Sequence, residues 1–555
     1  MPHRAHQLDG VRALVLDSLP ERGRTIPGVF GLLDEVGAGK TKQTVDAGQI
    51  LYLAPKLDDL VVKSPIDTIL ALTPGFARST WAEEDPLLGE VSKHAWPHVP
   101  NIVHEWHGDY TDLDLSDQGL HWIVSNFEFV RRDERRDALL EQLRGRRTWV
   151  IVDESWCIKG NSDQTRACIM IRRKRADRAT ILNGTPLADG KPMDLYYQFK
   201  FLDEAIIGVK NVTHFRSKYC VLGGFNGKQV VGYQNLDELN RRIAPYILTR
   251  RTRDCFDLPP MLDPITVEAR LTDETWKLYR SQRDEMVTWL GSQVSMSKQG
   301  ITKALRLAQI CSGFLGGLED IDSEEPDLGA NTPNLGTLPK SVQNVPMPSW
   351  LRKAQGLPDP VLPLGPFVQT PTQIIAGQRP VKVTKEVGRE KLDAYLRWLK
   401  NQPKLPRKLL TWCRFRPELE RMTREMTSLY ATVANLRGGQ TPEERSRVKS
   451  LLAPGGDPRP AHVIGITGTG AASLNFSAAS LMVFMSHDPA LIKRTQSIGR
   501  IERPGQKSPM LIVDMVATGP KGQKTIDHHN LKALRGKDDM SRWTIDQWRK
   551  ILAEE

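Results

Sequence analysis

Short apolar runs recur along both halves of the chain, and each stops abruptly at glycine, polar or acidic residues. In the first 205 residues the runs are Val29-Phe-Gly-Leu-Leu33, Thr68-Ile-Leu-Ala-Leu72, Trp149-Val-Ile-Val152 and Thr180-Ile-Leu182. Continuous apolar runs without alternation mark strands covered on both faces, and the amphipathic segments between them supply the covering helices. The pattern predicts an α/β lobe over 1–205. Residues 206–318 read mainly as helix, for example Asp273-Glu-Thr-Trp-Lys-Leu-Tyr279 and Ala304-Leu-Arg-Leu-Ala-Gln-Ile310. Over 319–385 the periodicity dissolves: the segment starts acidic and continues with frequent proline, which removes backbone donors and disfavours helix. It reads as a surface insertion or linker. The α/β rhythm returns over 386–520 with Lys408-Leu-Leu-Thr-Trp412, Val463-Ile-Gly-Ile466, Leu481-Met-Val-Phe484 and Leu511-Ile-Val-Asp514, and 521–555 reads as helix.

Composition narrows the class. The 555 residues are 39% hydrophobic and 26% charged, as in ordinary globular proteins, and the length suggests about three or four domains. The balance of 77 basic against 66 acidic residues leaves +11, which favours a polyanionic partner such as nucleic acid. Six scattered cysteines without a Cys-x-x-Cys pair give neither a disulfide framework nor a zinc site. No apolar run approaches a membrane span and no secretory signal opens the chain, so the expected home is a reducing cytoplasm.

Three segments carry phosphate chemistry. Leu32-Leu-Asp-Glu-Val-Gly37-Ala38-Gly39-Lys40-Thr41 leaves an apolar strand and opens a helix. Glycines there let backbone N–H groups point at phosphate oxygens; Lys40 would reach the β/γ-phosphates and Thr41 would bind Mg2+. The full phosphate-loop pattern wants glycine where this chain has Asp34. Trp149-Val-Ile-Val152-Asp153-Glu154 places two carboxylates at the end of a strand, Asp153 suited to Mg2+ and Glu154 to polarising a water. Gln496-x-x-Gly-Arg500-x-x-Arg503 offers two guanidinium forks expected on one helical face.

Together these motifs resemble superfamily two helicase-type ATPases, specifically the Swi/Snf-like branch of double-stranded DNA translocases, in the compact form seen in bacteria and phages. The resemblance implies two RecA-like parallel-sheet lobes of the P-loop NTPase fold with helical insertions, closing on Mg-ATP. It makes Gln7 the adenine contact, Gly37, Ala38, Gly39, Lys40 and Thr41 the phosphate cradle, and Lys40, Asp153, Glu154, Gln496, Arg500 and Arg503 the hydrolytic set. It assigns nucleic-acid contact to Thr73, Pro74, Ser125, Gly184, Thr185, Arg437, Gly438 and Asn475. It also implies ATP-driven movement along duplex DNA, in the host cytoplasm for a phage-encoded form.

Departures qualify the match. Trp156 stands where the branch usually has histidine, which questions the contact from that position to the opposite lobe. Asn183 begins the coupling motif in place of threonine or serine, and Ala471-Ala472 replace common glycines. A strand-separating RNA or single-stranded-DNA helicase, and a low-turnover ATP-gated DNA clamp, are the rival readings. A small-molecule kinase leaves the arginine motif unexplained. The basic stretches Arg131–Arg147, Arg166–Arg178 and Arg241–Arg253 are candidate backbone contacts, with a solvated surface as the alternative. His104-Glu-Trp-His107 lacks zinc spacing, and Asp527-His-His529 reads as helix surface.

Overall fold

Each long apolar run becomes a strand of one of two parallel sheets in the computed structural model, which describes residues 5–16, 25–54, 65–83, 89–108, 113–224, 227, 229–292, 298–316, 384–468 and 474–554. The strands, in chain order, begin with β1 Val29–Leu32, β2 Thr68–Thr73, β3 Asn101–Glu105, β4 Leu120–Asn126, β5 Thr148–Asp153 and β6 Ala176–Leu182. A small antiparallel hairpin follows, β7 Cys220–Gly223 with β8 Gln229–Tyr233, then β9 Ile247–Leu248 and β10 Ile265–Arg270. The remainder are β11 Phe314–Leu315, β12 Lys385–Glu386, β13 Lys408–Cys413, β14 Thr432–Leu436, β15 Ala461–Ile466, β16 Leu481–Phe484 and β17 Leu511–Thr518.

The first sheet has the order β3-β4-β2-β5-β6-β1-β9 and the second β10-β17-β16-β13-β15-β14. Every pairing within both is parallel. Successive side chains of a strand point to opposite faces, so one run feeds two cores. In the first lobe Leu70, Leu72, Val150 and Val152 enter one core, while Ile69, Ala71, Trp149 and Ile151 enter the other. The second lobe divides likewise: Leu409 lies on one side and Leu410 on the other. These are the two RecA-like lobes with helical insertions.

The stretch 206–318 is more than a helical link. Its β9 pairs with β1 in the first sheet and its β10 pairs with β17 in the second, so one segment edges both lobes. The expected helices are present and longer than their clearest sequence signal, as Asp273–Ser292 and Lys298–Cys311. The expected insertion lies outside the described residues except for Thr384 and Lys385.

The helix Ile526–Glu554 touches both lobes. Near its start Asp527 is buried, not on the surface as the sequence suggested: its carboxylate accepts from Lys391 Nζ at 2.6 Å and from Ala517 N at 3.0 Å. A buried carboxylate needs such partners, and the helix start supplies the place for them. Asn530 Nδ2 donates to His487 O in the second lobe. Further along, Ile545 and Trp548 enter the first-lobe core with Leu239, Ile243 and Tyr246, and Arg251 pairs with Asp546. At 1.5 Å per residue the helix is roughly 43 Å long, enough to reach across. No helix among the described residues is long and apolar enough to cross a membrane.

Trp548→Ala removes a fully buried indole and is expected to cost about 3–5 kcal/mol of first-lobe stability, measured by denaturant unfolding.

Candidate nucleotide site at the lobe seam

In a parallel sheet flanked by helices, ligands meet the loops at the carboxyl ends of the strands. Here β1 ends at Leu32 and the chain reaches the helix Lys40–Leu53 through a loop whose Gly37 and Gly39 have φ of 96° and 80°. Side chains strain such a backbone, and glycine does not. Gln7 also closes on this turn, its Nε2 only 2.6 Å from where a Cβ at 39 would stand. Gln7, on the helix Ala5–Val15, is therefore held against the phosphate loop. The next residue back, His6, brings Nε2 within 3.2 Å of Ala38 O.

Lys40 Nζ donates to Asp34 O at 2.7 Å and Glu35 O at 3.3 Å. Burial lowers its pKa, and the nearby Arg503 cation pushes the same way. Thr41 is half-buried in the first turn of the helix. The loop runs beside the chain leaving β9: Leu33 N donates to Leu248 O, Glu35 N to Arg250 O and Thr252 N to Glu35 Oε2. The aspartate in place of the first glycine gains a role here. Asp34 is wholly buried, and Arg250 grips both its oxygens, Nε to Oδ1 at 3.0 Å and Nη2 to Oδ2 at 2.6 Å. Arg250 also reaches Gln43 and the carbonyl of His6. Sequence reasoning missed Arg250 as a support of the phosphate loop, because its partner lies more than 200 residues away (|i−j| of 216).

The acidic pair follows β5. Asp153 Oδ2 accepts from Trp81 Nε1 at 2.8 Å and Oδ1 from Glu154 N at 2.9 Å. Burial, then the adjacent Glu154 charge, raises the Asp153 carboxyl from 3.8 to about 6. Glu154 adopts φ 52°, a left-handed backbone uncommon for a residue with a side chain. Its Oε2 accepts from Trp156 Nε1 at 2.8 Å and from Gln496 Nε2, across the seam, at 3.3 Å. Trp156 does meet the opposite lobe: its ring packs with Ala188 and with Ile492, four residues before Gln496 on the helix Leu491–Ile498. Asn183 is buried and tied to the acidic motif, donating from Nδ2 to Ser155 Oγ and Gln198 Oε1 while its Oδ1 accepts from Thr185 N.

The arginines differ from expectation in backbone. The helix ends at Ile498, so Arg500 and Arg503 lie on the turns beyond it and not on one helical face. Packing explains glycine at the break. A Cβ on Gly499 would sit 3.2 Å from Val36 Cβ, and one on Gly184 would sit 2.8 Å from Val36 Cγ2. Val36 of the phosphate loop is therefore lodged between a glycine from each lobe. Beyond that contact, Arg503 passes over the loop, its Cγ 3.5 Å from where a Gly37 Cβ would stand, and Arg253 pairs with Glu502 at 2.5 Å. Arg500 is almost fully buried; its Nη1 makes a long bond to Leu474 O at 3.4 Å and its Nε has no partner among the described residues. Burial and Arg503 lower the Arg500 pKa strongly, and burial draws Arg503 to about 10. Lys40, Arg500 and Arg503 thus converge beside the Asp153–Glu154 pair, placing cations suited to phosphate oxygens next to carboxylates suited to a metal ion.

A family model described as the SNF2-related domain matches residues 28–313. The chain belongs to the SNF2-related family. It is 22% identical over 524 residues to the TATA-binding protein-associated factor MOT1 of Saccharomyces cerevisiae, covering 90% of this chain and 26% of the relative. The human TATA-binding protein-associated factor 172 is 22% identical over 536 residues, with the same coverage of 90% and 26%. The chain thus spans about a quarter of the length of these curated relatives. Among solved structures, the Sulfolobus solfataricus SWI2/SNF2 ATPase core in complex with dsDNA is 17% identical at a TM-score of 0.37, covering 93% of this chain and 88% of that one.

The residues expected to touch nucleic acid in this SNF2-related chain occupy two settings. Thr73, Pro74, Ser125, Gly184 and Thr185 sit at the carboxyl ends of first-sheet strands but are buried. Thr73 Oγ1 donates to Pro74 O and Ser125 Oγ to Trp106 O. They shape the edge, and their hydroxyls are turned inward. Arg437, Gly438 and Asn475 are half-exposed on second-lobe loops. Residues 470–473 of that last motif, including Ala471-Ala472, lie outside the described residues.

The basic stretches are largely committed internally. Arg178 is buried and donates to Leu14 O and Val15 O, Arg173 pairs with Glu204, Arg147 with Asp67, and Arg242 with Glu238. Nearby carboxylates and carbonyls compete for charges that the sequence reading offered to phosphates. Arg131 and Arg132 are exposed. His104 stacks on His121, and no group of three metal-binding side chains occurs among the described residues.

The raised Asp153 pKa carries a sign. Between 3.8 and about 6 the folded carboxyl holds a proton that the unfolded one has lost, so raising pH through this window lowers stability. Asp153→Asn is expected to melt higher than the parent at pH 7.5, with the difference shrinking as pH falls toward 4. Thermal melts across that range check it.

Proposed function

We propose that this chain is an ATP-dependent motor that moves along duplex DNA. The observation that carries the reading is the seam itself: Glu154 of the first lobe accepts from Gln496 of the second, while Arg503 crosses the phosphate loop at Gly37. Hydrolysis that requires groups from both lobes is tied to their closure, and closure is relative motion.

The residues present fit a magnesium–nucleoside triphosphate. The left-handed glycines open the loop backbone, Lys40 Nζ donates to the carbonyls of Asp34 and Glu35, and the Arg500 Nε is buried without a partner among the described residues. Gln7 stands on the adenine side, Lys40 and Thr41 hold phosphate and metal, and Asp153 holds metal. When held by Thr41 and Asp153, Mg2+ would supply neutralisation of phosphate charge. Glu154, oriented by two N–H donors on one oxygen, keeps the other for the attacking water. Arg500 and Arg503 stabilise charge that grows on the γ-phosphate.

Duplex DNA is the partner favoured by the net charge of +11 and by the motif order of the Swi/Snf-like branch. Arg437, Gly438 and Asn475 from the second lobe, with the edge shaped by Thr73, Pro74, Ser125, Gly184 and Thr185, form the track. Backbone contacts of this kind position a duplex without reading its sequence. Six free cysteines suit a reducing cytoplasm.

Lys40→Ala is expected to abolish nucleic-acid-stimulated ATPase; undiminished turnover overturns the site. Arg500→Ala is expected to keep nucleotide binding, read by fluorescence titration, while turnover falls by about 10³–10⁵, the range of arginine fingers. Stimulation is expected to be greatest with duplex DNA. Greater stimulation by single strands or RNA favours a strand-separating helicase, and binding without steady turnover favours an ATP-gated clamp.

A further inference from the structure

Trp81 lies outside both carboxylate-bearing positions yet touches one of them. It belongs to the short helix Arg78–Ala82, which follows β2 and the Thr73-Pro74 turn. Its indole is 1% exposed and donates Nε1–H to Asp153 Oδ2 at 2.8 Å. With Glu154 N on Oδ1, both oxygens have a donor, so the plane of the carboxylate is fixed where the terminal torsion of an aspartate is otherwise broad. Each oxygen retains a lone pair for a cation.

The other side of Trp81 faces β4, whose end carries Ser125, one of the residues proposed to touch nucleic acid. Its ring lies 6.3 Å from that of Trp122, tilted by 35°, on β4, which ends in Ser125-Asn126. A Cβ on Gly75 would stand 3.4 Å from Asn126 Nδ2, so the turn after β2 abuts the end of β4. Trp122 is the informative contrast. It is equally buried, but its Nε1 donates to Asn101 Oδ1 at 2.8 Å, away from the acidic pair. A buried indole needs only some acceptor; at Trp81 the acceptor is the side chain that would hold the metal.

We propose that Trp81 is a positioning residue that orients Asp153 for Mg2+ and conveys the state of the nucleic-acid edge to it. The inference rests on the reading of Asp153 as a metal ligand. Groups that orient ligands from behind typically account for about 10–100-fold in metal affinity. Because coupling between sites is reciprocal, nucleic acid that shifts Trp81 changes metal affinity, and metal changes nucleic-acid affinity equally.

The test measures Mn2+ binding by electron paramagnetic resonance with a non-hydrolysable ATP analogue, with and without duplex DNA. Parent, Trp81→Phe and Trp122→Phe are compared, with melting temperatures recorded. Trp81→Phe is expected to weaken Mn2+ about 10–100-fold and to abolish the change that DNA produces in the parent. Trp122→Phe is expected to lower the melting temperature comparably while keeping parental Mn2+ affinity. Parental affinity in Trp81→Phe, equal weakening in both variants, or no DNA effect in the parent overturns the proposal. A parent that binds Mn2+ normally but never hydrolyses ATP refutes the motor and leaves this test intact. A parent that binds no Mn2+ refutes the metal site itself.

Discussion

The lodging of Val36 between Gly184 and Gly499 is the contact on which the site depends. Interiors close-pack, and a side chain held between two glycine backbones has little room to move without moving its neighbours. Gly184 carries the coupling motif of the first lobe and Gly499 begins the arginine-bearing turn of the second. The loop proposed to cradle phosphate is thus gauged from both sides, and the approach that seats Val36 also brings Gln496 to Glu154 and Arg503 over Gly37.

Charge is distributed around that contact with two different logics. Asp34 with Arg250, and Asp527 with Lys391, are buried pairs whose members satisfy one another. Such pairs contribute little net stability against apolar replacements, but losing one member is costly, so they fix which segments lie together. One ties the phosphate loop to the chain after β9, the other ties the C-terminal helix to the second lobe. At the seam the rule is suspended: Arg500 is buried with its Nε unpaired among the described residues, Arg503 has a depressed pKa, and Lys40 is turned onto backbone carbonyls. Uncompensated burial of this sort is unfavourable without a ligand, and a polyphosphate offsets it.

The indoles follow the same division. Trp81 holds one oxygen of Asp153, and Trp156 holds one of Glu154 while its ring packs against Ile492. Each carboxylate therefore has its own indole, one packed in the first-lobe core and one against the opposite lobe. At Trp156 an indole unites donor and apolar surface in one side chain, so replacing the histidine usual in the branch does not remove the contact between lobes.

The fold class and the glycine-built loop after β1 were readable from the chain because they are local. Apolar runs such as Thr148–Asp153 declare buried strands by composition, and glycine at 37 and 39 declares a backbone that only glycine adopts freely. Long-range partners were not readable. Nothing near Arg250 in sequence points to Asp34, nothing near Asp527 announces burial, β9 has only two residues, and β10 is mostly exposed and carries no apolar run. For the basic stretches the sequence counts charges without showing which carboxylates face them. Sequence settles where a chain turns and what each strand buries, since those follow from neighbours along the backbone. Which glycines meet one valine, and which arginine is left without a partner, depend on approaches between distant segments that only the packed structure fixes.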